Sequence, residues 1–212
     1  METFKEFFVS KTIVNLKDHS LFDSSSLFNE MAVLNPNAIN KTQNAMQFIH
    51  DNNITGVIIG GIAVSHYSDN RALTPDVDFL TSEINDLKLI LQKKGIAFQP
   101  LASSGEFGGI HVPQLDADFL DADEGNVSLN HYILKTAVST QIGGVAFPII
   151  DNAVLTIMKF IIGRDKDMND AFRLLKTVPK EELKIHLKNL KNYLPEDMDA
   201  KTIWSYAKAL SL

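Results

Sequence analysis

Beyond residue 40 the polar and apolar positions change period several times, and each change marks an element. Ala38 to Asn52 carries Ala45, Phe48 and Ile49 on one helical face and ends at Asn52-Asn53. Val57-Ile58-Ile59 is a short continuous apolar run, read as a buried strand, and Gly60-Gly61 turns it into a short amphipathic helix over Ile62 to Tyr67. A second strand carries Asp76-Val77-Asp78-Phe79-Leu80. Ile84, Leu87, Ile90 and Leu91 then fall at helical spacing, with Gly95 as the stop. Ile96 to Leu101 reads as a short strand, Ser103-Ser104-Gly105 as a turn, and Phe107 to Val112 as a strand interrupted by Gly108-Gly109.

In Gln114 to Ala122 the alternation places Leu115, Ala117, Phe119 and Asp121 on one face and Asp116, Asp118 and Leu120 on the other. Asn130 to Ser139 fits helix or strand equally, and Gly143-Gly144 leads into a strand over Val145 to Ile150. From Asp151 the pattern turns helical. Asp151 or Asn152 caps a helix holding Val154, Leu155, Met158 and Ile162, and after Gly163 a second runs from about Lys166 to Lys176. Pro179 starts a third, and Asp197 or Asp199 a fourth holding Trp204 and Ala207. The fold class expected is α/β (α+β), a mixed sheet flanked by helices, with a C-terminal helical bundle.

The first forty residues read differently. Phe4, Phe7, Phe8, Ile13 and Val14 form an apolar stripe, whereas Asp23-Ser24-Ser25-Ser26 and Asn35-Pro36-Asn37 are turn signals. The division expected is an accessory segment over 1–40, a core over 41–150 and a helical subdomain over 151–212.

Composition narrows the classes. A chain of 212 residues with 45% hydrophobic and 22% charged content is long enough for one substantial core and unlike a disordered or membrane chain. The net charge of -6 argues against general electrostatic binding of DNA. With 0 Cys, thiolate metal sites and thiol nucleophiles are excluded. The N-terminus lacks the apolar core of a signal peptide, and no run approaches the ~18 apolar residues of a membrane span, so a cytoplasmic protein without membrane partners is expected.

The candidate chemistry lies between Gly56 and Thr81. Side chains alternate along a strand, so Asp76 and Asp78 share a face while Val77 and Phe79 point to the core. Two carboxylates ~7 Å apart on one face repel unless something positive lies between them. Their oxygens are the hard ligands that Mg2+ and Mn2+ prefer, and Mg2+ is commonly held by one or two carboxylates together with substrate phosphates. At Gly60-Gly61 a strand gives way to a helix N-terminus, where backbone N–H groups favour an anion and glycine admits a phosphate to close approach. Arg71, in the connection to the second strand, supplies a fixed positive charge.

In this order the residues Gly60, Gly61, Ala63, Val64, Arg71, Thr74, Asp76 and Asp78 resemble the signature of the DNA-polymerase-beta-like nucleotidyltransferase superfamily. The likeness extends to its small bacterial minimal-nucleotidyltransferase and abortive-infection toxin-type members. It implies a nucleotidyltransferase-type sheet and a third carboxylate on a later strand, for which Asp118, followed by Phe119-Leu120, is the choice and Asp116 the fallback. It also implies a helical lysine, Lys159, followed by the segment Arg164 to Asp170, in which Lys166 with Asp170 and Arg164 with Asp167 stand at pairing distance along a helix. The turn departs from the commoner Gly-Ser form, so phosphate contacts would come from the backbone and from nearby Ser65.

The resemblance implies metal-dependent transfer of a nucleoside monophosphate from an NTP to a hydroxyl of a tRNA, a protein or a small molecule. Asp76, Asp78 and Asp118 would be both the catalytic carboxylates and the Mg2+ or Mn2+ ligands, Gly60 and Gly61 the phosphate cradle, and Arg71 and Lys159 counter-charges to the leaving pyrophosphate. The alternative is a catalytically silent form of the fold serving as a binding or toxin-antitoxin module. A phosphoester hydrolase built on the same carboxylates fits less well, because the glycine cradle suits a polyphosphate. His111, just upstream of the third carboxylate, is within reach of the site but fits a structural or surface role better, and His50 is read as an exposed or capping residue.

Overall fold

The computed structural model describes residues 36–68, 76–101, 108–142 and 145–210. Its elements in chain order are α1 (Pro36–Asp51), β1 (Val57–Ile59), α2 (Gly60–Tyr67), β2 (Val77–Thr81), α3 (Ile84–Lys93), β3 (Gln99–Pro100), β4 (Gly109–Val112), a 3-10 turn (Pro113–Leu115) and β5 (Ala117–Asp121). They continue with α4 (Val127–Thr136), β6 (Val138–Ile142), β7 (Val145–Ile149), α5 (Asn152–Ile162), α6 (Asp165–Leu174), α7 (Lys180–Leu190), a 3-10 turn (Lys191–Tyr193) and α8 (Ala200–Ala209).

One 7-stranded mixed sheet, in the order β3-β4-β5-β2-β1-β7-β6, organises the molecule. Strands β2 and β5 run parallel in strict register, with Val77 beside Ala117, Asp78 beside Asp118 and Phe79 beside Phe119. β1 lies antiparallel on the other side of β2 and pairs Ile59 with Asp78. Because neighbouring residues on a strand point to opposite faces, this register gathers the aspartates on one face and the phenylalanines on the other. Phe79 and Phe119 are fully buried and stack with ring centroids 5.2 Å apart. Truncating either to Ala would cost about 3–5 kcal/mol, so the site's strands are held from beneath by the core.

Helix α2 is not the amphipathic element expected. Gly61, Ile62, Ala63, Val64 and Ser65 are all buried, because the helix packs against β1 and β2 and is also touched by α5 and α6. The ambiguous stretch from Asn130 resolves into both alternatives. Asn126 caps α4 by accepting a bond from the Leu129 N–H, and the chain then enters β6, which pairs antiparallel with β7. The strand expected over Ile96 to Leu101 shortens to β3, Gln99–Pro100.

In the C-terminal part α5 packs against α6 and α7, and α7 against α8. Asp151 caps α5 through the Ala153 and Val154 N–H groups, and Asp199 caps α8 through Thr202, each satisfying amides that the first helical turn leaves without a partner. The readings made for residues 1–35 and for Arg71, Thr74, Ser103, Ser104, Gly105, Phe107, Gly143 and Gly144 lie outside the described residues.

Candidate active site

The β1–α2 junction is shaped by Gly60. It has φ +62, a conformation that L side chains disfavour, and a Cβ placed there would lie 1.9 Å from Asp78 Oδ2 and 2.7 Å from Asp78 Cγ. Glycine is thus required twice, for the turn and for the approach of the carboxylate. The next residue completes the contact: the Gly61 backbone N–H donates to Asp78. One of the amides expected to cradle phosphate is therefore engaged by a carboxylate of the site. Ser65 is fully buried and its hydroxyl donates to the Gly61 carbonyl at 3.0 Å, bracing the first turn of α2.

Asp76, Asp78 and Asp118 converge. One carboxylate oxygen from each lies within 4.8 Å of the others. Asp78 and Asp118 meet because β2 and β5 are in register, and Asp76 immediately precedes β2. The Asp78 carboxyl is pushed up from 3.8 to about 6, first by burial and then by the charges of Asp76 and Asp118, against which the Gly61 hydrogen bond and the Lys159 charge act in the lowering direction. At Asp78, burial and the neighbouring carboxylates outweigh the two opposing contacts. Three hard oxygen donors this close fit a divalent cation such as Mg2+ or Mn2+.

The fallback Asp116 is set apart from this group. The strand begins only at Ala117, and Asp116 adopts a left-handed conformation with φ 46 at the end of the Pro113–Leu115 turn. Its carboxylate pairs with Lys41 of α1.

Lys159 lies inside the protein, its side chain 7% exposed, with Nζ 2.7 Å from Asp167 Oδ1 and 3.7 Å from Asp170 Oδ2. Arg164 also binds Asp167, through Nε at 2.5 Å. Burial raises the Asp167 carboxyl, but hydrogen bonds from Arg164 and Lys159 and the charges of both outweigh it and hold the group below its ordinary range. The pair expected between Lys166 and Asp170 gives way to Lys159 with Asp170. Asp170 is on the buried side of α6, whereas Lys166 is exposed.

His111 reaches the third carboxylate. Strands β4 and β5 pair antiparallel with His111 opposite Asp118, and His111 Nδ1 lies 2.6 Å from Asp118 Oδ1. The signal available in the sequence was Pro113 between two strand-like runs, which folds position 111 back onto position 118. His50, by contrast, is exposed on α1 as expected, and among the bonds described its side chain contacts only its neighbour Asp51.

No family model and no curated protein matches the sequence. Solved structures do resemble it. An antigenic nucleotidyltransferase-like protein from Paracoccidioides brasiliensis aligns at 19% identity over 82% of this chain and 94% of its own, with a TM-score of 0.52. The antibiotic-resistance factor ANT(2'')-Ia aligns at 10% identity over 73% of this chain and 91% of its own, with a TM-score of 0.50. Lincosamide antibiotic adenylyltransferase LnuA, bound to lincomycin, aligns at 12% identity over 66% of this chain and 97% of its own, with a TM-score of 0.47. At these identities the first two likenesses establish the fold: a nucleotidyltransferase-type mixed sheet flanked by helices.

Proposed function

We propose that this chain is a nucleotidyltransferase that moves a nucleoside monophosphate from an NTP to a hydroxyl acceptor, with pyrophosphate leaving. The observation that carries this reading is the convergence of Asp76, Asp78 and Asp118 within 4.8 Å, beside the Gly60-Gly61 entrance to α2. A superfamily fold alone would not support it, because one fold serves many functions and function resides in the site.

In this reading the three aspartates hold Mg2+ or Mn2+, which supplies charge neutralisation and Lewis-acid polarisation at the phosphates. Asp118 would accept the acceptor's hydroxyl proton as its oxygen bonds to the α-phosphorus and the bond to the bridging oxygen of the pyrophosphate breaks. Gly60, lacking a Cβ, lets the Asp78 carboxylate lie against the turn, and Gly61 fixes Asp78 through its N–H. Arg71 is assigned to the departing charge. Lys159 acts at one remove, moderating the charge at Asp78 while it ties α5 to Asp167 and Asp170 of α6. The core over 41–150 would carry the carboxylates, the glycine turn and Arg71, with Lys159 contributed by 151–212.

The acceptor hydroxyl belongs to a tRNA end, a protein side chain or a small molecule. Calorimetric titration of ATP, CTP, GTP and UTP with Mg2+ is the first test, on the native chain and on Asp76→Ala/Asp78→Ala. Binding of one triphosphate that needs the metal and disappears in the variant supports the transferase and names the donor. Failure of a folded protein to bind any of the four overturns it and leaves the silent binding or toxin-antitoxin module.

A further inference from the structure

The strand register continues one residue beyond the aspartates. Asp78 on β2, Asp118 on β5 and His111 on β4 occupy one row across three adjacent strands, so His111 stands where a fourth member of the site would stand. Its Nδ1 lies 2.6 Å from Asp118 Oδ1, a distance typical of a charge-assisted hydrogen bond. An ionised carboxylate only accepts, so Nδ1 carries the proton and donates.

Resting on the transferase reading, we infer that His111 is a positioning residue for the third carboxylate: by occupying Oδ1 it fixes the rotamer of Asp118 and presents Oδ2 to the divalent cation. Two observations support a dedicated contact over a chance surface pair. Both side chains are partly sheltered, 35% exposed for His111 and 22% for Asp118, so the bond is only partly screened. Both backbones are also fixed by ladder pairing, Gly109 with Leu120 on one side of the pair and Val112 with Ala117 on the other. Without such a partner, Asp118 would have to give up free rotation about its side-chain bonds each time it bound a cation. Hydrogen-bond partners of metal-binding carboxylates characteristically change metal affinity about 10–100-fold when removed.

The test uses Mn2+ alone as the probe, with free ion counted by electron paramagnetic resonance, on the full chain and on His111→Ala, His111→Asn and Asp118→Asn. An asparagine amide nitrogen occupies nearly the place of Nδ1, so His111→Asn keeps a donor to Asp118. The expected result is Mn2+ affinity lowered about 10-fold or more in His111→Ala and restored to within about threefold of the native chain in His111→Asn, with both variants melting near the native temperature. Native affinity in a folded His111→Ala would overturn the positioning role while leaving the metal site intact. Equal loss in His111→Ala and His111→Asn would overturn it too, since donation from the Nδ1 position would then not be what matters. Mn2+ that fails to bind the native chain, or binds Asp118→Asn as tightly, overturns the metal reading itself.

Discussion

Gly60 and Asp78 occupy nearly the same space: a Cβ on Gly60 would lie 1.9 Å from Asp78 Oδ2. The contact joins the turn that starts α2 to the central carboxylate, so one methyl group acts on both. For Gly60→Ala, φ +62 adds backbone strain of about 1–2 kcal/mol, and Asp78 must rotate out of the site to make room. Denaturant unfolding should show a loss of that size, and Mn2+ titration a much larger loss in affinity. A variant that binds Mn2+ normally would show that Asp78 has room to serve the metal from another rotamer.

The raised carboxyl of Asp78 links the site to proton and cation concentration. Protons and a divalent cation compete for the same oxygens, so Mn2+ affinity should increase as pH rises through about 6 and change little above 7. Cation binding should also raise the melting temperature of the native chain at pH 7.5, by mass action on the folded state. For Asp78→Asn both effects should vanish, and calorimetric scans with and without Mn2+ measure them together. A cation-induced stabilisation that persists in Asp78→Asn would place the cation elsewhere.

Where local pattern decides structure, the sequence was readable. Alternation put Asp76 and Asp78 on one face, glycine marked the β1–α2 turn, and polar residues announced two helix starts, where the structure selects Asp151 over Asn152 and Asp199 over Asp197 as the caps. The unread parts depend on pairing between strands or helices. Nothing local to β4 shows that His111 lies opposite Asp118; that follows from the turn at Pro113–Leu115 and the β4–β5 register. The burial of α2 on nearly all sides likewise depends on β1, β2, α5 and α6 closing over it, so its own apolar pattern understated how deep it lies. Asp116 and Asp118 were equivalent by alternation until the left-handed turn at Asp116 ended the strand between them.

Lys159 is expected to matter more for folding than for substrate affinity. Its ammonium is shared by Asp167, fully buried, and Asp170, nearly so. Lys159→Met removes the buried cation that Asp167 and Asp170 share, leaving Asp167 only its bond to Arg164 among the contacts described, a change that should cost about 3–5 kcal/mol. Arg164, with its side chain 57% exposed, is the control: Arg164→Gln should cost about 1 kcal/mol or less. Urea unfolding of the two variants distinguishes them. If Lys159→Met unfolded like the native chain while triphosphate binding collapsed, the lysine would be acting on the substrate directly.

Two groups of opposite sign should flatten the stability profile in mild acid. His66 is held down from 6.5 to about 4 by burial, with Thr140 3.3 Å from its Nε2. The unfolded chain then binds its proton more readily, so the stability tied to neutral His66 is present above pH 6.5 and is lost as pH falls toward 4. Asp78 works the other way. With its folded value raised from 3.8 to about 6, its contribution is present at low pH and is lost as pH rises through that window. Each displacement corresponds to at most roughly 3 kcal/mol, and between about pH 4 and 6 the two slopes oppose each other. Without divalent cations the unfolding free energy of the native chain should therefore vary little across that range. Asp78→Asn should expose the histidine term, with stability rising from pH 4 to 6.5, and His66→Gln should expose the aspartate term, with stability falling from pH 4 to 6. Urea unfolding at closely spaced pH values measures all three slopes, and parallel profiles for the three proteins would show that neither group titrates as its surroundings dictate.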